Sequence, residues 1–154
     1  MIILDSLAEK GKPVSSVYLD LWCRANDQAV VKIHGNTDQM AHSSGFSGQR
    51  AVTSWRSRLE TIRKLGFIKT AAGPGGANSN ALLLNPHIVL QKYREEGKID
   101  EADWNSLTER AVTVGAKDLF TPIVEQSTAE VTTKKTTVKN RPATKTPTKK
   151  APAR

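Results

Sequence analysis

Cysteine is almost absent from this chain. A single Cys23 among 154 residues leaves no partner for an internal disulfide and no second thiolate for a structural zinc site, so disulfide scaffolds and zinc fingers are excluded. Long apolar runs are missing as well. No stretch approaches the ~20 residues of a membrane helix, and the opening MIILDSLAEKGK is interrupted by charge too early for a signal peptide. A soluble, cytoplasmic chain in a reducing setting is therefore expected. The glycines of GPGGANSN are followed by no Gly-Lys-Ser/Thr, which removes the lysine and the magnesium-binding hydroxyl of a P-loop. His34, His42 and His87 stand apart at spacings that suit turns and caps rather than a metal. Nothing assembles a nucleophile, a base and an oxyanion site. Neither an enzyme nor a cofactor is expected, and no small-molecule substrate is evident.

Acid is missing from residues 131–154, and this absence locates the charge. That segment holds six lysines and two arginines, the whole of the net charge of +8, while the fifteen cations before it are balanced by fifteen acids. From Thr121 the sequence is rich in Thr, Lys, Pro and Ala, and after Val138 it has no large apolar residue, so a disordered basic tail over 121–154 is expected. The balanced body also sorts its signs. Arg50, Arg56, Arg58, Arg63, Lys64 and Lys69 face only Glu60 within residues 47–69, whereas residues 92–118 carry five cations against seven acids. A neutral body with one positive helix points to an anionic partner met in a fixed orientation.

That positive helix belongs to the most informative stretch, TDQMAHSSGFSGQRAVTSWRSRLETIRKLGFIK over residues 37–69. A helix over 38–44 is predicted, capped by Thr37 and closed by Gly45. A second helix is predicted from Ser47, with Val52, Trp55, Leu59 and Ile62 forming one apolar stripe at offsets of three and four. With the stripe inward, Arg50, Thr53, Ser54 and Ser57 point outward, and Arg56 and Arg58 flank it. Around this pair, Ser15 or Ser16 starts a helix carrying Val17, Tyr18, Leu21, Trp22 and Ala25, and residues 29–33 suit a short strand. Residues 67–71 and 81–84 suit a hairpin with a loose, mobile tip over 73–80. Asn85 caps a helix with Pro86 at its first position, and Asp100 begins a last helix with Trp104, Leu107, Ala111 and Val114 on one side. Core packing is the expected role of Trp22, Trp55 and Trp104.

The order helix, strand, helix, helix, strand, strand resembles the winged helix-turn-helix DNA-binding proteins found among bacterial transcription regulators and plasmid or phage replication and partition proteins. The resemblance rests on Ala41, Gly45, Phe46 and Ser47 around the turn, and on Leu59, Leu65, Gly66, Phe67 and Ile68, which are similar to the closing "L..LG.I" pattern. It covers residues 15–90. The buried aliphatic of the simplest spacing falls at Ala51, whereas Val52 reads here as the core residue, which implies a turn one residue longer. The expected fold class is α+β, mainly α: a winged helix-turn-helix domain over 1–90, a C-terminal helical extension over 91–120 and the tail.

The resemblance implies double-stranded DNA as partner. Ser47, Gln49, Arg50, Thr53 and Ser57 are candidates to reach base edges in a groove, since Arg can bridge guanine O6 and N7 and Gln can pair with adenine. Arg56, Arg58, Arg63 and Lys64 are candidates for phosphate contact, with Lys69 at the base of the wing. In the tail, Lys134, Lys135, Lys139, Arg141, Lys145, Lys149 and Lys150 are similar in pattern to the basic tails of linker histones and some nucleoid proteins, which implies attraction to nucleic acid without sequence preference. A homodimer through Tyr93, Trp104, Leu107 and Val114 is expected, and a nucleoid-associated location follows. Two other readings stay open: an architectural protein coating DNA, and a winged helix that binds an acidic protein.

Overall fold

Apolar stripes on three helices close over one face of a small sheet in the computed structural model, which describes residues 2–120. The elements are α1 (Ile2–Leu7), α2 (Ser15–Arg24), β1 (Val30–Lys32), α3 (Thr37–Ser43), α4 (Ala51–Lys64), β2 (Ile68–Gly73), β3 (Gly76–Leu83), α5 (Pro86–Glu95) and α6 (Glu101–Val114), followed by a single 3-10 turn at Lys117–Phe120. The class is α+β and mainly helical. The three strands are antiparallel in the order β1-β3-β2, with Val30 opposite Leu82 and Ile68 opposite Leu83. Among the described residues no helix is long and apolar enough to cross a membrane. The seven basic tail positions 134–150 named above lie outside the described residues.

The core is built by Val17 and Leu21 of α2, Met40 and Ala41 of α3, Trp55, Leu59 and Ile62 of α4, and Phe67, Ile68, Ala81 and Leu83 of the hairpin, all buried. Trp55 has no exposed surface, and an aromatic of that size buries on the order of 150–250 Å², so it is the anchor that fixes the rotation of α4. Tyr18 meets Phe67 edge-on, with ring centroids 5.5 Å apart. Leu90 of α5 and Ile99 beyond it join the same cluster. Helix α5 thus runs unbroken across the expected boundary at residue 90 and packs on the body.

Several local expectations are corrected. Helix α1 was not foreseen. Its Asp5 carboxylate accepts hydrogen bonds from the amides of Val14 and Ser15 at 2.7 and 2.9 Å and from the Ser15 hydroxyl at 2.6 Å, so the start of α2 is held by a side chain from another helix. Thr37 is the first residue of α3, with Asn36 in the capping position. Trp22 is 40% exposed, because the inward arc of α2 is taken by Val17, Tyr18 and Leu21; its indole rests edge-on against Tyr18. The loose tip is instead a tight turn at Pro74 and Gly75, because the Ser79 hydroxyl accepts from the Gly75 amide and donates to the Gly76 carbonyl, both at 2.9 Å. At the C-terminal end, Tyr93, Trp104 and Leu107 pack half-buried against the core, while Val112 and Val114 stand out, each at 66% exposure, as does Phe120 at 52%.

Candidate nucleic-acid interface

The start of α4 decides which side chains the interface can use. Ser47 is a good cap in isolation, but Gly48 adopts φ 78° and Gly45 φ 89°, left-handed values that hold the chain out of a helix. The helix begins at Ala51, with Arg50 in the capping position and no side-chain cap. Ser47 and Gln49 are therefore turn residues, exposed ahead of the helix, rather than its first turn. The amides of that first turn move to the same new start, and with them the positive end of the helix dipole. Ala51 and Val52 are both half-buried and pack against the core, so the two candidate registers of the apolar stripe share the position.

With Trp55, Leu59 and Ile62 inward, successive residues turning by ~100° place Arg50, Thr53, Ser57 and Lys64 on the outward row. All four are exposed. Ser54 is half-buried and leaves the row. Arg56 and Arg63 share one shoulder of the helix, and both are exposed. Arg58 sits on the other shoulder, half-buried, with its Nε enclosed and without a hydrogen-bond partner. Lys69 is exposed on β2 opposite Leu82.

The cations differ in how free their charge is. Arg63 donates through Nε to Glu60 at 2.9 Å, and a second, shorter contact completes a two-pronged pair. The hydrogen bond from Arg63 holds the Glu60 carboxyl below its ordinary value, and Glu60 raises Arg63 in turn. Glu60 therefore neutralises one of the cations expected to meet phosphate. By contrast, among the described residues no ion pair or side-chain hydrogen bond engages Arg50, Arg56, Lys64 or Lys69. Glu9, held below its ordinary value chiefly by Lys12, also lies in the field of Lys64 and Arg58. Arg50 and Arg56 thus keep their charge, whereas toward the end of α4 Glu60 and Glu9 temper that of Arg63 and Lys64.

Sequence reasoning missed how the hairpin tip is set. A Cβ placed on Gly75 would lie 2.1 Å from Nδ1 of His34, and one on Gly73 would lie 2.8 Å from Cβ of Ser79. The His34 ring therefore lies directly against the turn, and only glycine allows that approach. No local pattern links residues so far apart; the only hint was the run of glycines. The tip itself carries no cation. Comparison with known protein families, curated proteins and solved structures returned no match to this chain.

Proposed function

We propose that this chain is a winged-helix protein that binds double-stranded DNA, with α4 entering the major groove and the β2–β3 hairpin acting as the wing. The observation that carries the reading is the outward row of α4. Arg50, Thr53, Ser57 and Lys64 are exposed on one face of a helix that Trp55 holds in place, and among the described residues neither cation in the row is spent on an internal partner. The helix, strand, helix, helix, hairpin order and the β1-β3-β2 sheet support it, since they leave α4 and the hairpin beside each other with α4 free on its far side. Arg50 and Thr53 are the base-reading side chains in this reading, Gln49 and Ser47 approach from the turn, and Arg56, Lys64 and Lys69 meet phosphates. The basic tail raises affinity without sequence preference; eight engaged cations would give a salt slope of about −7. Control of transcription, or of plasmid or phage replication or partition, is the use that fits a cytoplasmic, nucleoid-associated protein of this kind, acting as a homodimer on a repeated site.

A pool of random duplexes tests this, using the full chain and residues 1–130 at near-physiological salt. Enrichment of a motif by both proteins supports a specific reader. Binding by the full chain alone, without enrichment, moves the assignment to an architectural protein that coats DNA through its basic tail. Unchanged DNA binding after Gln49→Ala with Arg50→Ala would move it to a protein-binding module.

A further inference from the structure

A groove of about 350 Å³ opens between the C-terminal end of α4 and α5, away from the N-terminal half of α4. Leu65, Val89 and Tyr93 are half-buried in its wall, and the Tyr93 hydroxyl donates to the Leu65 carbonyl at 3.0 Å, which ties the two sides together. Ile88 lines it while remaining 48% exposed. Three ammonium groups, from Lys64, Lys92 and Lys98, line the same groove with a single carboxylate, Glu96. That carboxylate is already taken: Lys98 pairs with it at 2.7 Å and lies 5.2 Å from the centre of the Tyr93 ring. Among the described residues, Lys64 and Lys92 have neither an ion-pair nor a hydrogen-bond partner.

We propose that this groove docks a short acidic, apolar peptide segment of a partner protein. The charge left over in the groove is positive and calls for carboxylates, while an apolar wall gains nothing from a sugar-phosphate backbone, whose surface is polar and charged. A small molecule would need enclosure of most of its surface. This groove is open, and Ile88 stands exposed in it, which suits an extended chain that lays apolar side chains against Leu65, Val89 and Tyr93 and carboxylates against Lys64 and Lys92. The inference does not depend on DNA binding: Lys64 is shared with the outward row of α4, but Leu65, Ile88, Val89, Lys92 and Tyr93 have no place in the proposed DNA contact.

The test uses the full chain without DNA and a fluorescein-labelled peptide of about ten residues in which Glu and Asp alternate with Leu and Phe, followed by anisotropy at near-physiological salt. A second peptide carries Ser in place of Leu and Phe. The altered residues are Ile88→Ser and Lys92→Glu, both exposed; Lys64 is left intact because it also belongs to the outward row of α4. Saturable binding of the first peptide is expected, weakened about tenfold by Lys92→Glu and to a similar extent by Ile88→Ser, with the Ser peptide at least tenfold weaker than the first. Equal binding of both peptides to all three proteins would assign the attraction to diffuse positive charge and overturn the proposal. Absence of binding would overturn it too, as would decanoate binding that depends on Lys92 while the peptide does not bind. If Ile88→Ser lowers the melting temperature, Lys92→Glu against the two peptides decides the matter.

Discussion

Replacing Asp5 by Ala removes all three hydrogen bonds that hold the beginning of α2, and the size of the effect can be worked from their geometry. Deleting a helix cap costs about 0.5–2 kcal/mol. Here the acceptor is ionised, serves the amides of Val14 and Ser15 as well as the Ser15 hydroxyl, and lies beside the positive end of the helix dipole. Asp5 is only half-buried, which discounts the electrostatic part, so we expect Asp5→Ala to cost about 1.5–2.5 kcal/mol. For a domain of this size that lowers Tm by roughly 5–12 °C. Asp5→Asn keeps one acceptor oxygen and should lose about half as much. The pH dependence sharpens the test. Burial raises the Asp5 carboxyl, but its hydrogen bonds with Ser15 and Val14 outweigh this and leave it below its ordinary 3.8. A carboxyl depressed by folding contributes stability that is complete above the unfolded-state value and is lost as pH falls through the folded-state value. The gap between the native chain and Asp5→Asn should therefore be full at neutral pH and narrow only as the pH falls below the ordinary 3.8. Thermal unfolding followed by circular dichroism at several pH values reads both effects. An Asp5→Ala melt within about 1 °C of the native chain at neutral pH, or a gap to Asp5→Asn that does not change in acid, would refute the reasoning.

Three further outcomes are expected. Arg50→Ala should weaken binding to an enriched duplex by about 1–3 kcal/mol while changing binding to random duplex far less; equal losses on both would demote Arg50 to a phosphate contact. Glu60→Gln releases Arg63 from its pair and removes a negative charge from α4, so DNA binding should tighten and the salt slope should steepen by about one unit; titrations at several salt concentrations would show an unchanged slope if this helix does not face phosphate. Gly75→Ala places a methyl group against the His34 ring and should lower stability by about 1–3 kcal/mol, measured by denaturant unfolding, with His34→Ala restoring much of the loss if that contact is the cause.

The parts of the fold that were legible in the sequence are those whose physics is local. Asn85 and Pro86 announce α5 because a cap and a first-turn proline act within one turn, and the Asn85 side chain does accept from the His87 amide at 2.9 Å. Trp55, Leu59 and Ile62 were readable because their spacing alone puts them on one face. The start of α4 was not readable, since Ser47 satisfies the local rule for a cap while Gly48, one residue on, takes the chain out of helical space. Trp22 was misplaced because an offset of four from Tyr18 continues a stripe whether or not the neighbouring element reaches that far. Asp5 with Ser15, and His34 with Gly75, are contacts between separate segments, and no periodicity encodes them. For the candidate site this meant that the cationic helix was visible, whereas the loss of Ser54 from its outward row and the neutralising grip of Glu60 on Arg63 needed the rotation of α4 to be known.

The pairing of β1 with β3 rather than with β2 carries a consequence for biosynthesis. Val30 waits for Leu82, so the first strand leaves the ribosome without a partner and stays so until the last strand of the sheet has followed it. At about 5–20 residues per second that interval lasts several seconds, during which the backbone and apolar side chains of Val30 and Val31 are open to other chains or to a chaperone. Any product ending before Gly76 lacks the central strand altogether and cannot assemble the sheet, however complete α2, α3 and α4 are. The fold therefore commits late in translation, and premature stops upstream of the hairpin should yield insoluble or degraded fragments rather than a smaller working domain.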